Sequence, residues 1–253
     1  MTCSWTSSSA STSEARDRSP SVPSGLLGGR PAPLFSILLS VLLLACSSTP
    51  EPPPGPPVRP SREALAAERN SPLRTPTRLV FDWSLTEPDL RVNGRGVARV
   101  EPPYRARLDL FTENGETVVR AALVDGDLRL PPGTRQELVP PPALFWGALG
   151  VFRPGTEAVL QGGERTDEGV RLLYRLRADE ELRIVVADGE LLSLERMEEG
   201  HVVERVALNR ADASGFPREA RYRHLAEVRE LRLTLTESRE VESYPPDIWN
   251  PEG

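Results

Sequence analysis

Residues 104–124 read Tyr-Arg-Ala-Arg-Leu-Asp-Leu-Phe-Thr-Glu-Asn-Gly-Glu-Thr-Val-Val-Arg-Ala-Ala-Leu-Val, and this stretch decides the fold class. Every second residue from Tyr104 to Leu110 is apolar and the residues between them are charged, which is the pattern of a half-buried β-strand. Asn114-Gly115 follows, the strongest short-range signal for a β-hairpin, and residues 117–124 form the predicted return strand. The stretch therefore predicts two antiparallel strands with one apolar face.

The same alternation recurs along most of the chain. No predicted strand is followed by a long helical pattern, which excludes a parallel sheet of alternating strands and helices. About 11 or 12 short strands joined by tight turns predict a mainly β antiparallel meander that is apolar on one face and charged on the other. So many strands fit a closed barrel, a sandwich, or a curved half-barrel whose concave face needs a cover. The strands outside the first hairpin are predicted at residues 79–85, 93–98, 128–130, 159–165, 170–176, 182–187, 191–197, 202–208, 220–224 and 231–236.

An apolar segment interrupts the meander near its centre. Residues 143–152 read Ala-Leu-Phe-Trp-Gly-Ala-Leu-Gly-Val-Phe, between Pro140-Pro141-Pro142 and Pro154. Proline at the start and glycine near the end predict about two turns of helix. A surface helix would carry a polar face, so this helix is expected to be buried on nearly every side. It either fills the core as a plug or lies between the sheet and a second apolar object.

The N-terminal region predicts an export signal and not part of the fold. The apolar run 34–45 is about 12 residues long, too short to span a bilayer as a helix but typical of a signal peptide. Its end, Leu43-Leu44-Ala45-Cys46, resembles the bacterial lipobox, which implies cleavage before Cys46 and acylation of that cysteine with palmitate-type chains. The alternatives are a short membrane-buried helix and a plain secretory signal. We therefore expect residues 1–45 to be a signal peptide.

Residues 46–60 are predicted to be a lipidated cysteine followed by a tether. Seven of the eleven residues from Pro50 to Pro60 are proline, which favours extended polyproline II structure of ~3.1 Å per residue. Ser61 is expected to cap a short helix over 62–70, which opens a domain covering residues 61–249. Because Ser47 is not the aspartate that commonly retains bacterial lipoproteins in the inner membrane, we expect an outer-membrane anchor facing the periplasm.

Composition excludes several classes of function. The net charge is −6, whereas a nucleic-acid-binding protein would present a basic face. Two cysteines and two histidines provide no zinc cluster, and we expect no metal, cofactor or catalytic residue. His201 and His224 lie in different predicted strands, away from any nucleophile motif. The acidic pairs of the second half lie at turns, where they are expected to keep the surface solvated.

A resemblance to the bacterial LolA/LolB superfamily rests on the order of these features together with three short segments. The segments are residues 81–85 (Phe-Asp-Trp-Ser-Leu), 93–98 (Asn-Gly-Arg-Gly-Val-Ala) and 104–111, followed by the apolar central segment. The resemblance implies a curved antiparallel half-barrel of about 11 strands, with short helices covering the concave face and an apolar cavity beneath them. It also implies an arginine that latches the lid, for which Arg105, Arg107 and Arg175 are the candidates.

The predicted function is that of a membrane-anchored envelope lipoprotein which binds acyl chains of lipid or lipoprotein for transport or reception. The alternative is a structural or assembly lipoprotein that binds another envelope protein. The first prediction requires room for a guest chain between sheet and helix, whereas plain core packing would explain the same residues without one. The predicted cavity residues are Leu79, Phe81, Trp83, Leu108, Leu110, Leu172, Tyr174, Leu231 and Leu233, and the predicted lid residues are Leu144, Phe145, Trp146, Leu149 and Phe152.

Overall fold

The computed structural model of the protein describes residues 58–211 and 213–251. The predicted signal peptide 1–45, the lipid-attachment residue Cys46 and most of the tether lie outside the described residues. Among the described residues, no helix is both long enough and apolar enough to cross a bilayer.

The described part of the chain contains two α-helices, twelve β-strands and two short 3₁₀ turns. The helices are α1 (Pro60–Arg69) and α2 (Pro142–Ala148), and the 3₁₀ turns are Gln136–Leu138 and Pro246–Trp249. The strands are β1 (Thr77–Glu87), β2 (Leu90–Glu101), β3 (Arg105–Thr112), β4 (Thr117–Val124), β5 (Asp127–Arg129), β6 (Val159–Arg165), β7 (Val170–Arg175), β8 (Glu180–Ala187), β9 (Glu190–Glu198), β10 (His201–Ala211), β11 (Pro217–His224) and β12 (Arg229–Glu240).

All twelve strands form one open antiparallel sheet in the order β5-β4-β3-β2-β1-β12-β11-β10-β9-β8-β7-β6. The first five strands run as a meander towards one edge, and the last seven run from the other edge back to β1. The central pair, β1 and β12, joins the two meanders. The segment between β5 and β6 must therefore travel from one edge of the sheet to the other, and it carries α2 across one face. We call residues 130–158 the crossing segment. The prediction of a mainly β half-barrel with short helices is confirmed.

The hairpin turns follow from the turn residues of the sequence. Asp188 and Gly189 both have positive φ angles (53° and 78°), as do Glu199 and Gly200 (49° and 79°). Two consecutive residues in this region are what a two-residue hairpin turn of the right twist requires. These turns connect β8 to β9 and β9 to β10, where the sequence predicts them.

The start of α1 differs from the prediction. The helix begins at Pro60, one residue before the expected cap Ser61, and no side chain caps its first turn. Proline suits the first position of a helix because its φ angle is already helical and it has no N–H to leave unpaired. The helix therefore begins with a proline after Arg59, and the predicted serine cap is absent.

Candidate functional site

The concave face of the sheet is a continuous apolar wall. Each of the nine predicted cavity residues is buried, with at most 8% of its surface exposed. Within this wall, the aromatic rings of β1 lie against glycines of β2: Phe81 pairs with Gly96 and Trp83 pairs with Gly94. The Trp83 Nε1 donates to the carbonyl oxygens of Arg95 and Phe111, at 3.1 and 3.0 Å. The two sequence segments that looked like separate motifs are therefore one packing unit.

Helix α2 lies on this wall, and its surroundings agree with the prediction of burial on nearly every side. The five predicted lid residues are at most 6% exposed, and Trp146 is fully buried. The helix contacts β9, β10 and β11. Gly147 allows the close approach, because a Cβ at this position would lie 2.4 Å from a methyl carbon of Leu194.

The space left between α2 and the wall is small. Two of the cavities formed by the described residues lie there, and each has a volume of about 20 Å³. A volume of this size holds about one water molecule and no acyl chain. The side chains predicted to form the lid therefore occupy the place where the cavity was predicted. The residues that line one or both cavities are Leu79, Phe81, Leu108, Pro140, Phe145, Ala148, Leu149, Phe216, Pro217, Ala220, Tyr222, Leu231, Leu233 and Leu235.

Arg229 holds the beginning of the crossing segment. Its Nη1 donates to the carbonyl oxygen of Glu137 at 2.6 Å, and its Nε donates to Glu87 at the same distance. Only 8% of Arg229 is exposed, so these partners must compensate for the hydration that its charge loses on burial. Sequence reasoning missed this residue, although Arg229 continues the inward phase of Leu231 and Leu233. A charged residue in phase with an apolar face is the signal that could have found it.

Asp125 contacts the second half of the crossing segment, where Trp146 of α2 and Arg153 lie. The Trp146 Nε1 donates to the Asp125 carbonyl oxygen at 2.9 Å, and the Arg153 guanidinium pairs with the Asp125 carboxylate. The same guanidinium lies 4.2 Å from the ring centre of Tyr104, and this ring contacts Trp146 edge-on at 6.0 Å. Polar contacts thus fix the crossing segment on both sides of α2.

The three arginines that the resemblance offered as latches serve other purposes. Arg105 pairs with Glu101, and Arg107 pairs with Asp109 on the convex face. Arg175 is exposed and alternates with the buried Tyr174, which places it on the convex face too. Arg229 contacts the crossing segment instead, and Arg153, within that segment, pairs with Asp125.

A second group of charges interrupts the apolar wall near Arg229. Glu204, only 2% exposed, accepts hydrogen bonds from Tyr222 and Arg196. Burial, with the negative charge of Glu204, raises the pKa of Tyr222 above its ordinary value. Burial alone would lower the pKa of Arg196, but its hydrogen bonds to Glu198 and Glu204 raise it. The inner face thus has an apolar centre and an ion-paired rim.

Neither histidine belongs to a cluster that could perform metal chemistry. His201 is exposed, and the His224 Nδ1 accepts a hydrogen bond from the backbone N–H of Glu227 at 3.3 Å. In the described ranges, no three histidine, cysteine or acidic side chains are grouped so that they could hold a metal ion.

Comparison with solved structures identifies the fold. A LolA superfamily protein from Nitrosomonas europaea superposes with a TM-score of 0.57 at 11% identity, covering 77% of this chain and 98% of that one. A DUF1329 family protein from Desulfovibrio piger superposes with a TM-score of 0.49 at 10% identity, covering 76% and 98%. The sequence matches no protein-family model and no curated protein. The superposition with TM-score 0.57 shows that the chain has a LolA-like fold.

Proposed function

We propose that this protein is an envelope lipoprotein that receives acyl chains of lipid or lipoprotein between the apolar wall and α2, and that it is no enzyme. In this proposal Cys46 carries the lipid anchor, and the proline-rich tether 46–60 holds the domain on the periplasmic side of the outer membrane. The observation that carries the proposal is a fully apolar helix, α2, lying against an apolar wall within a LolA-like fold.

The exchange of α2 for a guest chain is physically reasonable. An acyl chain gains ~0.8 kcal/mol for each methylene that it buries. The wall behind α2 consists of leucine and aromatic side chains, so a chain could replace the lid without any polar contact. A guest chain between the wall and α2 keeps both apolar surfaces covered, so it offsets the apolar contact that α2 loses when it leaves the wall.

The crossing segment has the properties of a lid. Helix α2 has only seven residues, and polar contacts hold the segment on either side of it, from Arg229 to the Glu137 carbonyl and from Asp125 to Arg153. An element that is held at its two ends can leave the wall as a unit when those contacts break. The closed structure is then the empty state of the carrier.

Acyl-chain uptake tests the proposal. The full chain in detergent is incubated with a fatty acid or phospholipid, and native mass spectrometry measures the retained lipid. Trp146→Asp should strongly reduce uptake, because a carboxylate cannot take part in an apolar lid. Leu65→Asp places the same charge on an exposed position of α1 and should leave uptake unchanged. Unchanged uptake in Trp146→Asp, with the sheet still folded, would contradict the role of α2.

The second candidate is a scaffold that binds another envelope protein. The observation that favours it is the nearly filled interior, where two cavities of about 20 Å³ remain. This function predicts that the chain retains no lipid and that pull-down from envelope extracts yields one stoichiometric protein partner. Retained lipid without such a partner would exclude it.

A further inference from the structure

The convex face of the N-terminal half carries arginines side by side. Five of them occupy one row that crosses six neighbouring strands, and only Ala122 of β4 interrupts it. We call this set the arginine row. Adjacent like charges on one face of a sheet are destabilising, so the row needs an explanation. Its members, in spatial order, are Arg239, Arg78, Arg99, Arg107 and Arg129.

The acidic residues of the described chain neutralise only half of this charge. Arg120, next to the row, brings the number of arginines to six, whereas three carboxylates lie within 4.0 Å of them: Glu237, Asp109 and Asp127. Asp109 alone faces three guanidiniums. The other half of the convex face pairs arginine with glutamate in turn, as in Arg205 with Glu195. The excess of cations is therefore local, in a chain whose net charge is −6.

The C-terminal segment, residues 241–251, contacts the arginine row through backbone carbonyl groups. The 3₁₀ turn Pro246–Trp249 packs on β3 and β4, where Arg107 donates to the Ile248 carbonyl at 2.9 Å and Arg129 donates to that of Trp249 at 3.4 Å. Neutral carbonyl groups accept these hydrogen bonds but balance no charge. The centre around Asp109 keeps its excess of two positive charges.

Three hydrogen-bond donors, one on Arg120 and two in the C-terminal segment, are buried and make no hydrogen bond with the described residues. They are the Arg120 Nε, the Trp249 Nε1 and the Tyr244 hydroxyl, and Trp249 is only 4% exposed. The Tyr244 and Trp249 rings contact each other edge-on at 5.7 Å. Burial raises the pKa of Tyr244 to about 12, so its hydroxyl keeps its proton at neutral pH. The Arg120 Nε and the Trp249 Nε1 can only donate, and the Tyr244 hydroxyl can donate as well, so one ligand that satisfies all three must offer acceptors.

We propose that Arg99, Arg107 and Arg120, together with Tyr244 and Trp249, form a binding site for a phosphate-type oxyanion. Such an anion offers several acceptor oxygens and carries the negative charge that the site lacks. Guanidinium groups bind it through paired N–H donors, and the hydrogen bonds are strengthened by charge. The C-terminal segment supplies the two aromatic donors, so anion binding also ties this segment to the sheet.

Inorganic phosphate tests the site directly. Equilibrium dialysis of the full chain in detergent should reveal saturable binding of one phosphate. A chloride buffer of the same ionic strength is the control, because it screens charges equally without supplying the ligand. Thermal unfolding should move to higher temperature as phosphate is added, because a ligand of the folded state stabilises it. Arg120→Gln should weaken binding about tenfold or more, whereas Arg205→Gln, on the balanced half of the face, should leave it unchanged.

Two conservative variants protect the test against misfolding. Trp249→Phe and Tyr244→Phe keep the ring packing and remove one donor each, so each should weaken phosphate binding while the circular dichroism spectrum stays that of the unchanged chain. A second assay uses vesicles of phosphatidylglycerol or of phosphatidylcholine, with every variant carrying the same N-terminal region. Preference for phosphatidylglycerol that Arg120→Gln removes would identify a lipid headgroup as the source of the phosphate. Absence of saturable binding in both assays, or equal binding by Arg120→Gln and Arg205→Gln, would overturn the proposal.

Discussion

Arg229 on β12 donates a hydrogen bond of 2.6 Å to the carbonyl oxygen of Glu137, and this contact ties the middle of the sheet to the segment that carries α2. The same guanidinium pairs with Glu87 of β1 at 2.6 Å. The two central strands and the crossing segment therefore meet at one buried charge. A lid that opens must break this contact first, or carry it along.

Replacing Arg229 should weaken the fold and loosen the crossing segment together. Arg229→Gln leaves the carboxylate of Glu87, only 16% exposed, without its closest cation, and we expect a loss of about 2–4 kcal/mol in the free energy of unfolding. Amide hydrogens of residues 136–138 should exchange faster in this variant than in the unchanged chain, and their rates should rise more than those of the central strands. Urea denaturation and hydrogen exchange measure the two effects.

Arg135→Gln is the matched control for this variant. Arg135 pairs with the same Glu87 at 3.4 Å, but 47% of its side chain is exposed. An exposed pair contributes at most about 1 kcal/mol, so this variant should differ little from the unchanged chain. Equal losses in both variants would mean that burial of Arg229 has no special role.

The glycines opposite the β1 aromatic rings should resist substitution. A Cβ at Gly94 would lie 1.9 Å from the Phe111 carbonyl oxygen, and one at Gly96 would lie 2.3 Å from a ring carbon of Phe81. Backbone atoms cannot shift as readily as a side chain, so Gly94→Ala should lower the free energy of unfolding more than Gly96→Ala does. For Gly96→Ala we expect a loss of about 1–3 kcal/mol. Gly126→Ala, with nothing within 4 Å, should change stability by less than about 0.5 kcal/mol. Thermal unfolding ranks the three variants, and a Gly94→Ala variant as stable as Gly126→Ala would contradict this packing.

Local patterns were enough to predict the strands, because alternation and turn chemistry are properties of neighbouring residues. The pairing of Trp83 with Gly94 was not predictable in the same way. It depends on the register between β1 and β2, which neither of the two motifs reveals by itself. The position of α1 agrees with the prediction to within two residues, but the helix begins at Pro60 and lacks the expected serine cap.

The sequence predicts which residues are buried at the candidate site, but it does not predict the volume that they leave between α2 and the wall. Burial of Leu172 or Trp146 follows from their place in an apolar pattern, whereas the distance between helix and wall depends on how every side chain packs. Polar residues in phase with an apolar face are the sequence signal that marks the rest of the site. Arg229, Glu204 and Arg196 interrupt apolar faces of their strands, and each one forms part of the ion-paired rim.

Crowding α2 against β9 should loosen the lid. Gly147→Ala places a methyl group 2.4 Å from the end of the Leu194 side chain, which must shift, and we expect a loss of about 1–2 kcal/mol in the free energy of unfolding. If α2 is a lid, this variant should take up acyl chains faster than the unchanged chain does. Stopped-flow fluorescence with a labelled fatty acid measures the rate.

Leu194→Val, combined with Gly147→Ala, provides the rescue. The shorter side chain makes room for the added methyl group, so the double variant should regain stability and return to the slower uptake. Loss of stability in Gly147→Ala without any faster uptake would mean that α2 is a fixed part of the core.

Stability should decline at alkaline pH because of the tyrosines. Burial raises the pKa of all four: to about 12 for Tyr174 and Tyr244, and above the ordinary value for Tyr104 and Tyr222. A folded-state pKa above the unfolded value of 10.0 means that the unfolded chain releases its tyrosine protons first as the pH rises. The tyrosines therefore contribute full stability below about pH 10 and lose it progressively between about pH 10 and 12. Phenolate absorbance should stay low near pH 10 in the folded chain and rise together with unfolding, whereas in denaturant all four should titrate near pH 10. A tyrosine that titrates reversibly near pH 10 while the sheet remains intact would show that its ring is not buried in the wall or under the C-terminal segment.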